Sequence, residues 1–172
     1  MVAIALLRLG GWVDVFRIDS LGMAPTVCVG DYFLVEGLSF FWRDARRGEV
    51  IVFDASTVPA LGTNGTCYWV QRVVALPGDR CQIKEGSVWI NGVVAPELSG
   101  HRYGMIGPDL SGSGLDLANE VTVPPHQYVV LGDNTHNSLD SRYWGFLPQK
   151  SIKLAYVSHC WRSADRSTRR PH

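Results

Sequence analysis

The punctuation of the chain most constrains its fold. From Phe16 onward, short runs rich in Val, Ile, Phe, Tyr and Trp are cut every few residues by Gly, Pro, Asn and Asp. Such runs suit strands rather than helices, and the breakers supply the turn conformations between them. Residues 31–37 (DYFLVEG), 48–55 (GEVIVFDA), 67–79 (CYWVQRVVALPGD), 80–94 (RCQIKEGSVWINGVV) and 127–134 (QYVVLGDN) are the strand or hairpin candidates. Within 80–94, Asn91-Gly92 marks a tight turn because both residues tolerate positive φ. Helix signals are scarce, so a mainly β fold is predicted. Between residues 96 and 121 the chain turns to Gly, Ser and Pro. Too few apolar residues recur there at either period to predict a core element, and the stretch reads as an inserted loop region.

A chain of 172 residues is long enough for one domain with its own core. Lys and Arg number 16 and Asp and Glu number 16, so no chain-wide positive field points to nucleic acid, and none is expected as a partner. Cys28, Cys67, Cys81 and Cys160 show no Cys-x-x-Cys spacing, and no His-x-x-x-His accompanies them. No metal site or other cofactor is expected; the cysteines read as core thiols or, outside the cytosol, as including one disulfide.

The ends differ from the middle. The apolar run of residues 1–15 is broken at Arg8, well short of the roughly 20 residues that span a bilayer. It reads as an interfacial helix or as the end of an incomplete membrane anchor. Residues 163–172, with Arg166, Arg169 and Arg170, read as a flexible basic tail. The domain proper is then 16–162, with 96–121 as its insertion.

Three stretches carry a resemblance. FRIDSLGMAPTVCVGDYFLV (16–35) contains Met-x-Pro-Thr and Gly-Asp; QRVVALPGD (71–79) follows; GDNTHNSLDSRYWG (132–145) closes the series. In this order, with RRGEVIVF between the first two and INGVV after the second, the chain resembles the type I signal peptidases, membrane-bound serine endopeptidases that cut leader peptides from exported proteins. The resemblance implies coiled antiparallel sheets and a groove that takes an extended peptide as an added strand, lined in part by Met23 and Pro25.

It also locates a dyad. In that family the residue before Met-x-Pro-Thr is the nucleophilic Ser, and the residue before the Arg of the second block is a Lys kept neutral by burial as general base. Here these positions hold Gly22 and Gln71. Glycine has no attacking atom, and a glutamine amide takes up no proton near neutral pH. Removing either member of such a pair costs orders of magnitude in rate, and removing both costs little more.

The surrounding positions match. Ser20 stands where the family has a hydroxyl that stabilises the oxyanion, and Ser138 where one supports the Lys. Arg72, Asp133, Asp140 and Arg142 match a bracing charge network. Three residues are candidates for rescue: Ser20 as a shifted nucleophile, with Lys84 or His136 as base. The blander readings are an oxyanion or structural hydroxyl for Ser20, a solvent-facing strand lysine for Lys84 and a surface loop histidine for His136.

The expectation is a signal-peptidase-like domain without its Ser-Lys dyad, retaining at most peptide binding. Its expected partners are leader peptides or exported precursor proteins and the membrane surface, with the domain on the extracytoplasmic side. The alternatives are an active or engineered-inactive signal peptidase I, and an unrelated β-rich peptide-binding module.

Overall fold

A computed structural model describes residues 3–9, 12–62, 65–104 and 114–162. The chain runs through β1 (Ala3–Leu9), β2 (Val13–Ile18), β3 (Tyr32–Glu36), β4 (Val50–Asp54), β5 (Tyr68–Ala75) and β6 (Arg80–Lys84). It continues through β7 (Ser87–Ile90), β8 (Val93–Val94), β9 (Val121–Thr122), β10 (Gln127–Leu131), the single-turn helix α1 (Ser141–Trp144), β11 (Leu147–Pro148) and β12 (Ile152–Trp161). Eight strands form one sheet in the order β1-β2-β3-β12-β4-β5-β10-β11, and four form a smaller one, β8-β7-β6-β9. Every pairing is antiparallel. The mainly β, antiparallel expectation holds.

Local sequence explains the layers. β2 and β3 alternate between buried and half-buried positions, which puts Phe16, Ile18, Phe33 and Val35 on one face. With Met23, Val27, Val52 and Val70 these build one core cluster. β4 is buried along Val50–Phe53, as a near-continuous apolar run in a central strand should be. Its Phe53 joins Trp69, Tyr128, Trp144 and Leu147 in a second cluster. A third cluster lies under the small sheet. Each fully buried Phe or Leu contributes about 1.5–3 kcal/mol relative to exposure.

Three expectations are corrected. Ala3–Leu9 is a strand paired with β2, not a helix: the backbone groups of β2 offered it a ladder that an isolated apolar run does not reveal. No helix among the described residues is long and apolar enough to cross a membrane. Second, β12 was not among the candidates, although it is central, pairing with both β3 and β4. Its register shifts at Ile152/Leu154, Tyr156/Ser158 and His159/Trp161 break the period of two that identifies a strand. Third, the ends of the 96–121 segment belong to the core: Leu98, Tyr103 and Leu117 are buried in the third cluster. Single anchors spaced without period escape a pattern search. Residues 105–113 and the basic tail lie outside the described residues. Cys28 and Cys81 are buried and Cys160 is exposed.

Candidate active site and family

Two loops meet beside β5 and β10. The first, residues 19–31, leaves β2 and returns to β3, closed by Ile18 N donating to Asp31 O (3.0 Å) and Gly30 N to Ile18 O (2.8 Å). Asp31 stiffens it by accepting from Cys28 N at 3.0 Å. Met23, expected to line the peptide groove, instead sends its side chain into the core; Pro25 stays exposed. The second loop, 132–140, is held against the first. Asn134 donates its backbone N–H to Gly22 O (3.1 Å) and its side-chain amide to Leu21 O (3.0 Å).

Gly132 permits this contact. A Cβ on it would lie 2.1 Å from Ser138 Oγ and 2.5 Å from Gly22 O. Those two oxygens are therefore neighbours, and only glycine lets the strand end pass beneath them.

Gln71 lies on β5, fully buried. Its amide Nε2 donates to Leu139 O at 2.7 Å, and the same carbonyl accepts from Trp144 Nε1 at 3.3 Å. Gln71 Oε1 and Ser138 Oγ are buried with no hydrogen-bond partner among the described residues. Gly22 and Gln71 thus converge on one loop: Gly22 beside Ser138, and Gln71 on the next residue, Leu139. Ser20, Gly22, His136, Ser138, Leu139 and Tyr143 line an open cleft of about 440 Å³.

The bracing charges are paired. Arg72, also on β5, donates to both carboxylate oxygens of Asp133 (2.8 and 2.6 Å). Thr26 donates to the same carboxylate, and His101 Nε2 lies 3.4 Å from it. Burial opposes the charged form of Asp133, but the bonds from Arg72, His101 and Thr26 outweigh it and hold the carboxyl down at about 2. Asp140 accepts from Arg142 Nε (2.8 Å) and Nη2 (2.7 Å) and from Gly132 N (3.0 Å), and it caps α1 through Arg142 N. Arg142 Nη1 then reaches Thr135 Oγ1 and Gly104 O, each at 2.8 Å.

Of the rescue candidates, Ser20 and His136 line the cleft, whereas Lys84 sits on β6 with its ammonium 5.5 Å over the Trp89 ring. Thr26, Gly132 and Asn134 lie inside the quoted motifs, yet the sequence reading gave them no role. His101 had no local signal, since it enters from the aperiodic segment after the small sheet. Around the cleft the described residues provide hydroxyls, amides and an exposed imidazole.

The two motif loops, 19–31 and 132–140, thus meet at one cleft on an antiparallel β scaffold. A family model described as "Signal peptidase, peptidase S26" matches residues 1–161, and the chain belongs to that family. It is 35% identical over 142 residues to a probable signal peptidase I-2 from Synechocystis sp., covering 78% of this chain and 57% of that protein. Signal peptidase I from Leptolyngbya laminosa is 34% identical over 84% of this chain and 66% of its own length. Signal peptidase I from Pseudomonas aeruginosa is 31% identical over 81% and 62%. The chain thus spans about three fifths of the length of these relatives. A crystal structure of a signal peptidase I from Enterococcus faecalis V583 aligns with 67% of this chain and 98% of its own at 23% identity, with a TM-score of 0.46.

Proposed function

We propose that this chain is a signal-peptidase-I-type domain that has lost peptide hydrolysis and retains an extended-peptide groove. One observation carries the reading: Gly22 and Gln71, which stand where the family resemblance places the nucleophile and base, both abut the Ser138–Leu139 segment. Acyl transfer requires an attacking atom and a group that takes its proton. Ser20 serves as a retained oxyanion hydroxyl and Ser138 as the former partner of the base. Leader peptides or exported precursors are its ligands, held as an added strand, and it works at a membrane surface on the extracytoplasmic side.

The test is a cleavage assay on the purified chain with a leader-peptide substrate. No product above blank is expected, and the double change Gly22→Ser with Gln71→Lys should restore cleavage. Hydrolysis by the unmodified chain that Ser20→Ala abolishes would overturn the reading in favour of a shifted nucleophile.

A further inference from the structure

Large apolar side chains gather at one end of the β2–β3 pair. Trp12, Leu38, Phe41 and Trp42 are exposed at 46, 45, 61 and 85%. The ring centroids of Trp12 and Phe41 lie 4.8 Å apart, and those of Phe41 and Trp42 6.4 Å apart. Single exposed apolar residues need no account, whereas aromatic rings that touch one another in water mark a docking surface.

The group is held firmly. Gly37 N donates to Trp12 O at 2.9 Å, which ties the start of β2 to the end of β3. The turn Leu38–Phe41 is fixed on one side by Glu36, which accepts from Ser39 N (2.9 Å) and Ser39 Oγ (2.6 Å). On the other side Arg43 donates to both carboxylate oxygens of Glu49 (3.0 and 2.6 Å), and its guanidinium lies 5.3 Å over the Phe40 ring. At 85% exposure Trp42 adds little to the core, so its place on a fixed turn calls for a partner outside the fold.

Chemistry selects that partner. Residues 37–42, GLSFFW, carry no charge, and Trp12 follows the uncharged stretch MVAIALL (1–7) closely in the chain. The acids at the rim, Glu36, Asp44 and Glu49, are engaged by Ser39, Gln149 and Arg43. An indole joins an apolar body to an N–H that stays hydrated, which suits the boundary between lipid and water. Three aromatic side chains bury about 150–250 Å² each, whereas a stable pair of proteins takes roughly 800 Å² from each partner. A bilayer sets no such minimum.

We propose that Trp12, Leu38, Phe41 and Trp42 form the face by which this domain enters the headgroup boundary of a lipid bilayer. The inference rests on the membrane-surface part of the proposed function and names the residues that make the contact. It also orients the site. The docked residues flank the start of β2 and the end of β3, while the loop 19–31 with Gly22 joins the other ends of the same two strands. Six strand residues span about 20 Å, so the docked end and the Gly22 loop are separated by about that distance.

The test is sedimentation of the full chain with vesicles of phosphatidylcholine and phosphatidylglycerol. The parent should bind, and Phe41→Ser with Trp42→Ser should weaken partitioning at least about tenfold while leaving the unfolding temperature unchanged. Trp161→Ser serves as the control, since Trp161 is exposed at 66% but pairs with Tyr32 at the opposite end of β3; it should bind as the parent does. Equal binding by the parent and the double variant would overturn this face and leave the membrane-surface reading standing. Binding by neither would overturn both, and a loss in Trp161→Ser as large as in the double variant would overturn docking by this end of the sheet. Analytical ultracentrifugation without lipid covers the other occupant: self-association that the double variant abolishes would assign the face to a second copy and overturn the proposal. Leader-peptide binding in solution reads the cleft separately, and its absence alongside vesicle binding would sink the groove and keep the docking face.

Discussion

Arg72 on β5 closes on Asp133 with two hydrogen bonds of 2.8 and 2.6 Å, across 61 positions of sequence. Arg72 also donates to Gly48 O at 2.6 Å, so one guanidinium ties together the turn before β4, the end of β10 and, through Asp133, the loop that carries Gly22. Removing one partner of such a buried pair strands the other charge, which costs about 3–5 kcal/mol. Arg72→Met and Asp133→Asn should each lower stability on this scale, and the double variant should recover part of the loss. Urea denaturation of the four proteins checks it.

Acid should act through the same carboxylate. The ordinary value for an aspartate is 3.8, and Asp133 is held at about 2 when folded, so the folded state favours the ionised form. Its contribution, on the order of 2 kcal/mol, is complete above the unfolded value and disappears as pH falls from about 4 through 2. Denaturation midpoints across that window should fall in the parent chain and flatten in Asp133→Asn.

Gly132→Ala tests the close approach of the two loops. The added methyl would meet Ser138 Oγ, which can rotate, and also Ser138 Cβ and Gly22 O, neither of which can move without displacing its loop. A loss of about 1–3 kcal/mol is expected, larger than for Gly100→Ala, where no atom lies within 4 Å. Thermal unfolding of both variants decides it.

On β5, Gln71→Lys alone should destabilise. The position is fully buried, and an ammonium there must lose its charge or its hydration. A loss of at least about 1 kcal/mol is expected at neutral pH, shrinking as pH rises toward 10 because the neutral amine is the tolerated form. Stability measured against pH for the parent and the variant checks the sign.

The thiols should separate by burial. Cys81 is fully buried, and that burial pushes its thiol up to about 12, whereas Cys160 is exposed. Since the thiolate is the nucleophile, Cys160 should alkylate readily at pH 8 while Cys81 reacts only after denaturation. Mass spectrometry of partially alkylated chain reads this directly.

Much of the fold was legible before its coordinates. β3, β4, β5, β6, β7 and β10 fall within the predicted runs because their apolar residues are consecutive or alternate, and turns such as Asn91-Gly92 declare themselves by residue type. β12 was hidden because its bulges break that alternation, and Tyr103 because one buried ring in a Gly- and Ser-rich stretch makes no period.

The sequence by itself determined which residues stand at the positions that the family resemblance marks as reactive. Gly22 and Gln71 are chemical identities, readable in register with Met23 and Arg72, and no packing gives glycine an attacking atom. Tertiary structure alone decided what surrounds them. It sends Met23 into the core instead of the groove, seats Ser138 beside Gly22 over Gly132, and brings His101 from a distant segment onto Asp133. Those contacts join positions far apart in the chain, fixed by strand order and by the pairing of buried charges, for which local sequence has no signal.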